Sequence, residues 1–238
     1  EDDMDLLSNA TFWFALGSII LTNIILSGDN AVVIALASRN LPPAQQKKAI
    51  FWGTFGAIGI RALMTLGVVW LLQIPGLMLV GGLGLLWIAY KLLVDTGDQE
   101  DHGPAATTFA GAMKTIIVAD ALMGVDNVLG VAGAAHGSFD LVVLGLLISV
   151  PIVIFGSSIV LKLVERFPII IQLGAAVLAF TAAKMIVGEP LLDPIFDESS
   201  WNALARGLTY TVAIVGVLGL GTWTARRAAQ QSQSGSTV

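Results

Sequence analysis

The sequence contains no cysteine and only two histidines, His102 and His136, in separate polar segments. Without thiols there is no disulfide framework, no thiolate zinc site and no cysteine nucleophile, and two distant imidazoles do not form a histidine cage. Charge is also scarce, since 12% of the residues are charged and the formal net charge is −5. This acidic balance argues against a nucleic-acid-binding protein, which needs a basic face.

Apolar sequence is what the chain has in abundance. Hydrophobic residues make up 55% of it and the mean hydropathy is +0.83, although a soluble domain carries about 25% charged residues. Because a helix needs about 20 residues to cross a bilayer, seven apolar runs predict membrane spans: 12–37, 50–72, 76–94, 109–135, 141–161, 169–187 and 204–224. We therefore predict an all-α polytopic membrane protein, with residues 1–238 forming one transmembrane domain in the lipid bilayer.

Lysine and arginine are distributed unevenly among the predicted loops, and cytoplasmic loops retain positive charge. With the amino terminus outside, only two basic loop residues, Lys184 and Arg206, lie outside, and nine lie in the cytoplasm: Arg39, Lys47, Lys48, Lys91, Lys114, Lys162, Arg166, Arg226 and Arg227. The predicted orientation is thus amino terminus outside and carboxyl terminus cytoplasmic.

Because no basic residue precedes the first apolar run, we expect it not to be a cleavable signal. The polar tail from Gln230 is expected to be disordered.

The chain also contains an internal repeat. A shift of 97 residues places residues 23–30 on 120–127, and a shift of 93 places Lys91 on Lys184. The chain is thus predicted to consist of one three-helix repeat (12–94), a second three-helix repeat (109–187) and a seventh helix (204–224). Since three is odd, the second repeat must cross the membrane in the opposite sense. Inverted repeats are typical of secondary transporters, although a duplicated bundle without a transport role would show the same pattern.

Ionisable residues inside predicted spans are costly and are functional candidates for that reason. They are Asp29, Asp120, Asp126 and Arg61, accompanied by the amides Asn23, Asn30 and Asn127. In an unbroken helix, neighbouring residues such as an aspartate and the next asparagine point about 100° apart. We therefore expect the helices to unwind at Ser27-Gly28 and at Gly124, so that both side chains of each pair converge.

Carboxylate, amide and carbonyl oxygens form a hard-ligand site that suits Mg²⁺, Ca²⁺ or Mn²⁺. The predicted metal ligands are Asp29, Asn30, Asp126, Asn127, Asp120 and Asn23. The three aspartates and Arg61 carry two net negative charges, which one divalent cation would neutralise. Arg61 is either a structural partner of Asp120 or a gate. Lys91 and Lys184, at helix ends, are expected to extend their ammonium groups to the membrane interface.

The segments Ser27-Gly28-Asp29-Asn30-Ala31-Val32-Val33-Ile34-Ala35 and Gly124-Val125-Asp126-Asn127-Val128-Leu129 resemble the TerC family of integral membrane proteins. The resemblance covers nearly the whole chain and implies a seven-helix inner-membrane exporter of metal ions, with Mn²⁺ as the substrate of several members. The family often has an acid six residues before the aspartate of each motif. Asp120 fits this pattern, whereas Asn23 departs from it.

The leading hypothesis is Mn²⁺ export by alternating access, in which the two repeats rock about a fixed site and the proton gradient or the membrane potential supplies the energy. Asp120 is expected either to couple transport to protons or only to neutralise Arg61. Export of Ca²⁺ or small organic cations is the alternative within transport. A membrane assembly factor and an intramembrane aspartyl protease, in which two aspartates share a proton, are alternatives of other classes. No prosthetic group and no enzymatic activity are expected.

Overall fold

The computed structural model describes residues 10–71, 73–94, 108–134, 139–197 and 200–235. The regular structure within these segments is entirely helical. The α-helices are α1 (Ala10–Ser38), α2 (Pro43–Leu66), α3 (Val68–Leu71), α4 (Leu77–Val94), α5 (Phe109–Ala134), α6 (Phe139–Arg166), α7 (Ile169–Val187), α8 (Asp193–Phe196) and α9 (Asn202–Gly235), and a 3₁₀ turn covers Pro190–Leu192. The predicted all-α class is confirmed.

Each predicted span overlaps a helix of 18 or more residues, but the predicted span 50–72 is interrupted at Gly67, between α2 and α3. Within the described residues, five helical segments are long and apolar enough to cross a membrane: Pro43–Leu66, Leu77–Val94, Leu144–Arg166, Ile169–Val187 and Asn202–Arg227. Many large apolar side chains also point outward, including Phe14, Trp70 and Phe155, which are 80%, 74% and 69% exposed. An outer surface of this kind is suited to lipid rather than to water.

Proline and glycine set several helix ends. The helix α2 begins at Pro43, where a missing backbone N–H costs no helical hydrogen bond, and so it starts before the predicted span at residue 50. It ends at Leu66, and the backbone N–H of Gly67 donates to the Leu63 carbonyl oxygen at 3.1 Å. The last helix, α9, continues to Gly235, so the expectation of disorder is wrong for residues 230–235. Alanine, arginine and glutamine there are good helix formers.

The helices α1 and α5 pass through the repeated motif without interruption, so the expected unwinding at Ser27-Gly28 and Gly124 is wrong. Glycine at position 124 instead allows close packing, because a Cβ there would lie 2.8 Å from the Met64 sulfur of α2. At Gly28 a Cβ would meet nothing within 4 Å. Neither position therefore breaks its helix, and the intrahelical hydrogen bonds continue through both motifs.

The long helices of one predicted repeat pack against those of the other. The most extensive contacts join α1 to α6, α4 to α7 and α2 to α5. The core between them includes Ile34, Leu85, Ile116 and Leu178, each nearly or fully buried. At the α4–α7 contact, a Cβ on Gly82 would lie 2.7 Å from the Ala182 carbonyl oxygen. Small residues of this kind let membrane helices approach closely.

The directions of these pairs can be read from their contacts. Along α4 and α7, Met78 meets Gly188 and, further along α4, Gly82 meets Ala182, which lies earlier in the chain than Gly188, so the two helices are antiparallel. Along α2 and α5, Gly53 meets Ile116 and, further along, Met64 meets Gly124, which makes these helices parallel. The antiparallel pair joins the third helix of each predicted repeat.

Candidate metal site between α1, α5 and α7

Asp29 lies on α1 and its carboxylate faces α7. Thr181 Oγ1 donates a hydrogen bond to Asp29 Oδ2 at 2.6 Å. Asp29 is half-buried, whereas Thr181 is buried. The first of the repeated acids is therefore held at the contact of two helices that belong to different predicted repeats.

Asp126, the second repeated acid, lies on α5 and faces the same helix. Lys184 Nζ donates to Asp126 Oδ2 at 2.8 Å, with side chains that are 50% and 15% exposed. Thr181 and Lys184 are three residues apart and so share one face of α7. Asp29 is also within electrostatic range of both Asp126 and Lys184. The structure thus brings the two repeated carboxylates together on one face of α7.

Asn30 follows Asp29 in sequence but points elsewhere. It is 4% exposed and lines a small void together with Asp120, between α1, α2 and α5. The divergence of Asp29 and Asn30 is what a continuous helix imposes, since consecutive side chains lie about 100° apart. The structure therefore separates two predicted ligands, Asn30 and Asp120, from the carboxylates of Asp29 and Asp126 that face α7.

Asp120 pairs with Arg61 inside the bundle. Arg61 Nη2 donates to Asp120 Oδ1 at 2.7 Å, and the two side chains are 4% and 5% exposed. Asp120 Oδ2 and Arg61 Nε lie buried without a hydrogen-bond partner among the described residues. Of the two roles considered for Arg61, this geometry matches the structural partner of Asp120. The pair is neutral, so it adds no charge for a metal ion to balance.

Two predicted ligands, the side chains of Asn23 and Asn127, lie outside the described residues, although their backbones belong to α1 and α5. Within the part of the chain that the structure describes, no group of three histidine, aspartate or glutamate side chains is gathered closely enough to hold a metal ion. A metal ion between α1, α5 and α7 would therefore need oxygen ligands besides the two carboxylates. The Thr181 hydroxyl is one such oxygen in place.

Thr181 and Lys184 are not among the residues predicted to form the site. Threonine in an apolar helix carries little signal, because its hydroxyl is usually satisfied by a carbonyl of its own helix. The expectation that Lys184 only extends to the membrane interface is incomplete, since its ammonium binds Asp126. Lys91, its counterpart in the repeat, has its ammonium 4.5 Å from the centre of the Trp87 ring.

Glu189 is a third residue whose role was not predicted. Its buried carboxylate accepts hydrogen bonds from the backbone N–H groups of Gly76, Met78 and Leu79, at 3.0, 3.1 and 3.2 Å, and from Leu191. Burial opposes ionisation of Glu189, but these four donors outweigh it and hold its pKa below its ordinary value. The carboxylate therefore ties the end of α7 to the start of α4 and satisfies N–H groups that a helix start leaves free.

A cleft of about 270 Å³ opens beside this connection. It is lined by the segment between α3 and α4, by Glu189 to Leu191, and by Val125, the residue before Asp126. The cleft is large enough to hold water molecules, and it reaches the part of α5 that carries the second repeated acid.

Comparison with known proteins finds similarity to integral membrane proteins. Residues 8–231 match the family described as the integral membrane protein TerC family. The uncharacterized membrane protein YjbE of Bacillus subtilis (strain 168) is 45% identical over 174 residues, which cover 73% of this chain and 79% of YjbE. The UPF0053 inner membrane protein YgdQ of Escherichia coli (strain K12) is 26% identical over 192 residues, or 74% of this chain and 81% of YgdQ. No solved structure matches the chain.

Proposed function

Because the chain belongs to the TerC family of integral membrane proteins, we propose that it is a secondary transporter that exports a divalent metal ion, with Mn²⁺ as the preferred substrate. The observation that carries this proposal is the meeting of Asp29 and Asp126 on one face of α7, inside a mostly apolar bundle. Buried carboxylates that do not both pair with fixed cations need a charge to balance them. A transported cation supplies that charge.

The chemistry of the site favours a hard divalent ion. Two carboxylates and the Thr181 hydroxyl are oxygen donors, and neither thiol nor imidazole stands among the described partners of Asp29 and Asp126. Mg²⁺ demands near-ideal octahedral geometry and gives up its water reluctantly. Passage through an apolar bundle requires the ion to give up water, so this site suits Mn²⁺ better than Mg²⁺. Ca²⁺ remains the alternative substrate.

Helix directions support the proposed inverted repeats, residues 12–94 and 109–187, followed by the seventh helix at 204–224. In a chain that crosses the membrane seven times, the second and fourth spans are parallel and the third and sixth are antiparallel. The α2–α5 and α4–α7 pairs have these relations. We place the protein in the inner membrane with its amino terminus outside, on the basis of the lysine and arginine bias. Alternating access would then expose the carboxylates to each side in turn, driven by protons or by the membrane potential.

The geometry favours transport over proteolysis. An aspartyl protease dyad needs two carboxylates that share one proton. Here the carboxylate of Asp29 is hydrogen-bonded to Thr181, and that of Asp126 is paired with Lys184. These contacts orient each acid towards α7 and not towards a common proton. A membrane assembly factor would have no need of carboxylates at this position.

The test is Mn²⁺ transport by the full chain in inverted membrane vesicles, followed with an entrapped Mn²⁺-sensitive dye. We expect Asp29→Asn and Asp126→Asn each to reduce transport to the level of empty vesicles. Asp197→Asn is the matched control, since Asp197 is an exposed loop acid paired with Arg206 away from the site. Transport at the wild-type rate by both site variants would refute the proposal.

A further inference from the structure

Lys184 already supplies a cation to the candidate site. Its ammonium lies 2.8 Å from Asp126 Oδ2 and is within electrostatic range of Asp29. A divalent ion that binds both carboxylates needs the position next to Asp126 that this ammonium occupies. Lys184 and the transported ion therefore have the same partner.

We propose that Lys184 is a built-in competitor of the transported ion: its ammonium holds Asp126 when the site is empty and must be displaced when a divalent cation binds. This inference rests on the proposed function, and it assigns a specificity-determining role to a residue on α7.

Charge balance supports displacement rather than joint binding. The two carboxylates and the ammonium together carry one net negative charge. A divalent ion that bound beside the ammonium would leave one positive charge in an apolar bundle, which is costly. If the ammonium leaves Asp126, the ion and the two carboxylates are neutral. The 50% exposure of the Lys184 side chain gives the ammonium a route to solvent, along which a long lysine stem extends easily.

The same balance selects the charge of the substrate. A monovalent cation that displaced the ammonium would gain no charge over it and would leave the site negative. A divalent cation gains one charge, and it binds two carboxylates where lysine binds one. Competition with Lys184 therefore disfavours Na⁺ and K⁺. In the proposed orientation Lys184 lies at the outer end of α7, so its return to Asp126 also opposes rebinding of the exported ion.

Mn²⁺ binding to the purified full chain in lipid nanodiscs tests the proposal, with the free ion measured by electron paramagnetic resonance. Lys184→Gln keeps a hydrogen-bond donor but removes the charge, and we expect it to bind Mn²⁺ about tenfold more tightly than wild type, as the removal of a half-exposed competing charge implies. Lys184→Arg keeps the charge and should retain wild-type affinity. Lys91→Gln is the matched control and should leave the affinity unchanged.

Each result decides between the alternatives. Tighter binding by Lys184→Gln alone supports competition. Equal or weaker binding by Lys184→Gln, together with Mn²⁺ binding by wild type that Asp126→Asn abolishes, overturns the competitor role and leaves the proposed function standing. The absence of Mn²⁺ binding from every variant, Lys184→Gln included, overturns both.

A second measurement uses the wild-type chain alone and does not depend on the folding of a variant. An amine-reactive label, quantified at each lysine by mass spectrometry, reports how accessible the Lys184 ammonium is. Saturating Mn²⁺ should increase labelling of Lys184 and leave Lys91 unchanged. Labelling of Lys184 that stays constant or falls when Mn²⁺ binds would show that the ammonium is not displaced.

Discussion

Arg61→Leu removes one member of the buried pair with Asp120 and leaves an uncompensated carboxylate inside the bundle. The two side chains are 4% and 5% exposed, and a single hydrogen bond of 2.7 Å joins them. Asp120 Oδ2 already has no hydrogen-bond partner among the described residues, so little else nearby can satisfy the charge. Breaking a buried pair from one side costs about 3–5 kcal/mol, and we expect a loss of this size.

The double change Arg61→Leu with Asp120→Leu should recover most of that loss, because it removes both charges and their desolvation together. Unfolding of the purified chain in mixed micelles, measured for wild type, both single variants and the double variant, gives the coupling energy between the two residues. Asp197→Asn is the control, because its exposed pair with Arg206 is expected to contribute at most about 1 kcal/mol. Losses that simply add in the double variant would refute the account of a buried, coupled pair.

Two further predictions concern the α4–α7 contact. Glu189→Gln should lower thermal stability at neutral pH, and the difference from wild type should shrink in acid. The pKa of Glu189 is depressed in the folded protein. The ionised carboxylate therefore stabilises the fold above the pKa of the unfolded state, and this stabilisation is lost as the pH falls through the pKa of the folded state. A difference from wild type that stays constant down to acidic pH would contradict this. Gly82→Leu should destabilise the protein by about 1–3 kcal/mol through overpacking, since even a Cβ there would lie 2.7 Å from the Ala182 carbonyl oxygen. Gly28→Ala should be tolerated, because nothing lies within 4 Å of a Cβ at that position. Equal stability of these two glycine variants, measured by thermal unfolding, would refute the packing argument.

The helices could be predicted well from the sequence, because a membrane span is recognisable by its length and hydropathy. The run at 169–187 coincides with α7, and the run at 76–94 differs from α4 by one residue. The boundaries of α2 and α9 were predicted less accurately. The helix α2 starts at Pro43, before the apolar run begins, and the helix-forming residues after Arg227 extend α9 beyond the end of the last apolar run.

The site was predictable in part. The repeat identified Asp29 and Asp126 as equivalent acids, and the structure brings them to one face of α7. Their partners Thr181 and Lys184 could not be predicted, because the pairing depends on how α7 rotates against α1 and α5, and hydropathy does not specify that rotation. The unwinding at Ser27-Gly28 and Gly124 was inferred from the glycines there and from the need for both side chains of each Asp-Asn pair to converge, but Gly124 serves close packing against Met64 and Gly28 is accommodated in a continuous helix.

The packing across the repeats restricts how the molecule can move. If each sequence repeat moved as one body, motion would have to separate α1 from α6, α2 from α5 and α4 from α7, which are the most extensive contacts. The Glu189 carboxylate and the approach at Gly82 fasten α4 to α7 at adjoining points. The natural moving bodies are therefore pairs that each take one helix from either half of the chain, with α4 and α7 as a shared frame. Asp29 and Asp126 belong to different pairs, α1–α6 and α2–α5, so a shift of either pair against that frame changes the distance between the two acids.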